Sequence, residues 1–115
     1  MIRRRRRAVL GAACAAIAVI GGCSDSAPPG GSSAAIDRGR QVYVAQCIAC
    51  HAPDPAQPGP LGPETKGASR ELLEAKVLRG TYPKGYTPKR PTMLMPPQPV
   101  LAGDIDALAA YLAGR

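Results

Sequence analysis

The chain has 115 residues, a formal charge of +7, four cysteines, one histidine and four tyrosines, with neither phenylalanine nor tryptophan. Five of its fifteen basic residues are the consecutive arginines Arg3 to Arg7, and without residues 1–22 only ten basic side chains face eight acidic ones. No Lys/Arg run with interleaved aromatics remains there, which excludes the footprint of a nucleic-acid binder. About eighty residues so poor in aromatics also make a thin core, one that calls for a staple such as a metal or a prosthetic group.

In chain order, the arginines precede an apolar run from Ala8 to Gly22, the charged-then-apolar layout of a secretory signal. The run falls short of the roughly 20 residues a membrane span needs. It ends in Ile20-Gly21-Gly22-Cys23, which resembles a bacterial lipobox, with cleavage expected before Cys23 and a diacylglycerol expected on its thiol. An ordinary cleaved signal with an incidental cysteine is the competing reading. Residues 24–33 are rich in Gly, Pro and Ser and read as a tether. The expected organisation is a lipoprotein signal over 1–22, a flexible tether over 23–34 and one folded domain over 35–115.

Asp37 to Gln46 reads as a helix that leads into Cys47-Ile48-Ala49-Cys50-His51, a C-x-x-C-H haem-attachment pattern. The spacing has a physical basis. Residues three apart share one side of a helical turn, so Cys47 and Cys50 can each add across one haem vinyl group as thioethers, and His51 then faces the iron as an axial ligand. A redox-active dithiol of the thioredoxin kind needs a preceding strand and a longer α/β domain. A zinc site wants a second ligand cluster, and none is present in the sequence. With Cys23 acylated, a disulfide framework is implausible, and a large flat ligand fills the underfilled core.

The second axial ligand follows by elimination. His51 is the sole histidine, so a thioether is expected, and outside the signal only Met93 and Met95 supply one. Met95 is preferred because Pro96-Pro97 stiffens the chain behind it; Met93 stays as the alternative. Two proline-rich loops, 53–63 and 83–99, argue against strands. Between them Ser69 is a good N-cap for a middle helix through Arg79, with Leu72, Leu73, Lys76 and Val77 in its interior and Gly80 as its stop. Last, Ile105, Leu108, Ala109 and Leu112 repeat at i, i+3, i+4 and i+7, a helix with one buried face, and Asp104 and Asp106 lie in its favourable first turn.

On these residues, Ile36 to Leu112 resembles a class I, mono-haem cytochrome c. Gly39 and Tyr43 ahead of the haem motif match the family's first helix, and Leu108-Ala109-Ala110-Tyr111-Leu112 matches its L-x-x-Y-L ending. The resemblance implies a small all-α fold, about three helices with proline-rich loops wrapped round one covalent haem c, and first and last helices that cross near Gly39. Gly59-Pro60-Leu61 resembles the family's G-P-x-L segment, which implies that the Pro60 carbonyl accepts a hydrogen bond from the axial histidine. The chain departs from the family in lacking the tryptophan that often meets a haem propionate; Tyr82, Tyr86, Lys84, Lys89 and Arg90 are the candidates to replace it.

Axial His51 and Met95 leave no open iron site. The expected function is therefore one-electron transfer between redox proteins that dock at the haem edge, not catalysis on a small-molecule substrate. No nucleic-acid partner is expected, and the membrane is met through the lipid on Cys23, on the periplasmic or outer face. A haem-bearing subunit of a multi-subunit dehydrogenase or sulfur-oxidising complex is the alternative. A haem sensor with an open iron site is a third reading.

Overall fold

The computed structural model describes residues 31–114; the signal segment, Cys23 and most of the tether lie outside the described residues. Among the described residues all regular structure is helical. Helix α1 spans Ser33–Gln46 and opens at Ser32, whose hydroxyl accepts from the Ala35 amide at 3.2 Å. The helix thus begins within the expected tether, before the boundary at 35. A Ser-Ser step ahead of two alanines was the available signal.

The middle element differs from a plain helix. Helix α2 covers only Arg70–Leu73, capped by the Ser69 hydroxyl on the Leu72 amide at 3.1 Å, and continues as a wider π segment over Glu74–Leu78. Gly80 ends it as expected, at φ 69. This left-handed geometry suits a residue without Cβ. Beyond it the Thr81 amide donates back to the Ala75 carbonyl at 3.1 Å. A 3-10 turn, Pro99–Asp104, then feeds helix α3, Ile105–Leu112. Asp104 ends that turn without capping the helix by its side chain; its carboxylate takes two hydrogen bonds from Arg38, at 2.8 and 3.1 Å.

Periodicity accounts for the packing. Gly39, Val42 and Tyr43 are the buried residues of α1, at i, i+3 and i+4, and Ile105, Leu108 and Leu112 those of α3. Together with Leu73, Val77 and Leu101 these side chains, Gly39 aside, form one core cluster. Each buried aliphatic side chain contributes roughly 1.5–3 kcal/mol. The α1–α3 crossing falls at Gly39: a Cβ there would run into the Ala107 carbonyl and lie 2.8 Å from the Tyr111 Cβ. Beside it the Tyr43 and Tyr111 rings pack at 5.5 Å between centroids.

Candidate functional site

The end of α1 shapes the cysteine motif. The Cys47 amide still donates to Tyr43, while the Cys50 and His51 amides both return to the Cys47 carbonyl, at 3.1 and 2.9 Å. Residues 47–51 therefore form a tight turn that brings Cys47, Cys50 and His51 to one cavity. Both thiols are free and half-buried. Burial, with Cys50 adding to it, pushes the Cys47 thiol up to about 11, so its nucleophilic thiolate is scarce at neutral pH in this folded geometry.

A second turn holds the imidazole. The Leu61 and Gly62 amides donate to the Cys50 carbonyl at 3.2 and 2.9 Å, and the Gly59 amide to the Gly62 carbonyl at 2.9 Å. Gly62 lies flat against the His51 ring: a Cβ there would come within 2.5 Å of Nδ1 and 2.9 Å of Nε2. His51 Nδ1 lies 2.8 Å from the Pro63 carbonyl. A carbonyl only accepts, so Nδ1 carries the hydrogen and Nε2 keeps its lone pair for a metal.

This corrects the expectation for Pro60. The sequence holds two Gly-Pro steps, Gly59-Pro60 and Gly62-Pro63, and the structure uses the second. The first is consumed in the turn that folds back on Cys50, which leaves Pro63 as the next carbonyl within reach of the ring. Tyr43 reinforces the same loop. Its buried hydroxyl donates to Ala52 at 2.8 Å and accepts from the Thr65 hydroxyl at 3.0 Å.

Met95 lines the same cavity and packs against the core, whereas Met93 is 72 % exposed and does not reach it. Tyr82, Tyr86, Lys89 and Arg90 also line it; Lys84 does not. Two of these cations already have partners. Lys89 pairs with the Glu64 carboxylate at 3.0 Å and donates to the Glu64 carbonyl at 3.1 Å, while Arg90 reaches the Gly59 carbonyl at 3.5 Å. Both strap the methionine loop to the histidine loop.

The cavity has a volume of about 560 Å³, inside the range of roughly 300–1,000 Å³ for a cofactor pocket. Two thiols, an imidazole with a free lone pair and a thioether converge on it, which is the donor set of a covalently attached haem. The residues present fit that group. A family model for cytochrome c matches residues 36–115. The chain belongs to the cytochrome c family. It is therefore a haem c electron-transfer protein, with Cys47 and Cys50 spaced as the family's attachment cysteines. No curated protein matches the chain. Cytochrome c domains typically work outside the cytoplasm, and no helix among the described residues is long and apolar enough to cross a membrane.

Pro63, Gly62, Thr65 and Lys76 were missed as site residues by the sequence reading. The repeated Gly-Pro step could have pointed to the first two. Nothing local marks Thr65 or Lys76, because both reach the site only through folding.

Proposed function

We propose that this cytochrome c carries one haem, with Cys47 and Cys50 as thioether links and His51 and Met95 as axial ligands, and shuttles single electrons between redox proteins. The observation that carries this reading is the convergence of His51 and Met95 on one cavity while Met93 stands in solvent. Bound haem supplies a one-electron Fe(III)/Fe(II) couple. The chain's own residues do the rest. Pro63 orients the imidazole and fixes its tautomer through the Nδ1 hydrogen bond. Pro96-Pro97 holds the Met95 sulfur in place. Core side chains such as Leu73, Val77 and Leu108 keep water from the cavity, which favours the less charged Fe(II) form.

Leu61 and Leu94 line the cavity yet remain 51 % and 67 % exposed. They are the apolar rim on which a redox partner docks weakly and briefly. The lipid on Cys23 keeps the domain at a membrane surface outside the cytoplasm, with the residues before Ser33 as its tether.

The ligand assignment is tested by the sulfur-to-iron charge-transfer band in the near infrared. Met95→Ala is expected to abolish the band and Met93→Ala to keep it. The reverse pattern assigns the iron to Met93, and a band absent from the unaltered protein removes thioether ligation. A pyridine haemochrome spectrum counts the haems and reports both thioether bonds.

A further inference from the structure

Lys76 sits on the π segment with its ammonium turned inward. It lines the haem cavity, and its Nζ is a buried side-chain atom without a hydrogen-bond partner, the sole such atom among the described residues. Among the described residues its Nζ lies over the face of Tyr82, 4.4 Å from the ring centroid, and Tyr82 in turn stacks on Tyr86 at 5.4 Å and 10°. A cation–π contact offsets only part of what an ammonium loses on leaving water.

Among the described residues no carboxylate pairs with Lys76. Glu74, on the same segment, is held by Arg70 at 2.8 Å and by Arg79 at 3.3 Å. Glu64, the one acidic residue lining the cavity, is held by Lys89 at 3.0 Å. Asp104 and Asp106 are paired with Arg38 and Arg70. An occupant of the cavity is the natural source of the negative charge that the described residues lining it do not give Lys76, and haem brings two carboxylates, its propionates.

We propose that Lys76 is the internal counter-ion of a haem propionate, with Tyr82 and Tyr86 as the stacked wall that holds its side chain in place. The inference rests on the haem reading above. It places the cation on the middle helix, where the proline-rich loop had been expected to supply it. It also gives Lys76 a positioning role in the redox chemistry: a positive charge that neutralises a propionate disfavours Fe(III) and raises the midpoint potential.

The test compares holoproteins carrying Lys76→Met, Lys76→Arg and Lys84→Gln, the last removing one charge at an exposed site outside the cavity. Redox difference infrared spectra and midpoint potentials are read from each. Lys76→Met is expected to move the propionate carboxylate band and lower the potential, Lys76→Arg to restore both, and Lys84→Gln to leave the band unmoved. An unmoved band in Lys76→Met, or a potential shift no larger than that of Lys84→Gln, overturns the proposal. If Lys76→Met does not accumulate, the unaltered protein decides: nuclear Overhauser contacts from the Lys76 side chain to the propionate methylenes are expected, and their absence overturns the proposal. The pyridine haemochrome keeps the two readings apart. A protein with no thioether-linked haem sinks the haem reading, whereas intact haem with an unmoved carboxylate band sinks the role of Lys76 alone.

Discussion

The His51 ring is held by two features of one short turn, a carbonyl at Pro63 and the absence of a side chain at Gly62. The first fixes the tautomer, and the second lets the backbone lie flush against the imidazole. Gly62→Ala forces either the ring or the loop to move, so a loss of about 1–3 kcal/mol in denaturant unfolding of the holoprotein is expected. Gly103→Ala is the control, because a Cβ there meets nothing within 4 Å. Equal stability of the two variants contradicts the close approach. At this scale much of the site was legible beforehand: Cys47, Cys50 and His51 form a contiguous pattern whose spacing alone states its chemistry. Pro63 was not, since two identical Gly-Pro steps compete for one role and only the path of the turn chooses between them.

Among the elements, the contact of α1 with α3 carries most of the core. Its geometry depends on Gly39, where any Cβ collides with a backbone carbonyl that has no rotamer to escape by. Gly39→Ala is expected to destabilise the holoprotein by about 1–3 kcal/mol or more, read as a lowered thermal midpoint. A midpoint equal to that of the unaltered protein contradicts the crossing. The apolar repeat of α3 and the Ser69 and Gly80 signals of the middle element were readable in the sequence. The switch from α to π at Glu74 was not. A one-residue widening of the turn changes no periodicity that composition can register, yet it belongs to the segment that turns Lys76 into the cavity.

At the scale of the whole molecule, exposed ion pairs tie the elements together. Arg38 joins α1 to Asp104 and Lys89 joins the two loops through Glu64. Hydrogen bonds from these cations hold both carboxyls below the ordinary carboxylate range. A depressed carboxyl contributes stability above its unfolded value, near about 4, and loses it as the pH falls through its folded value. The thermal midpoint is therefore expected to fall on acidification from about pH 5, and the gap between the unaltered protein and Asp104→Asn to close as the pH drops. A gap that stays constant to pH 3 contradicts the pairing. Lys89 and Arg90 are engaged within the fold, and the chain beyond residue 22 has only two more basic than acidic side chains. Electron-transfer rates with a partner are accordingly expected to depend only weakly on salt; a steep fall contradicts a largely apolar docking rim.

The amino-acid sequence by itself determined the attachment chemistry, the three helical segments and the all-α class, because each rests on local spacing or on one helical period. The tertiary structure decided which of two methionines meets the cavity, which proline holds the histidine and which lysine lies within. Those choices depend on where proline-rich loops of irregular path return to the core. No periodicity runs through such loops, and the contacts that fix them join residues far apart in the chain.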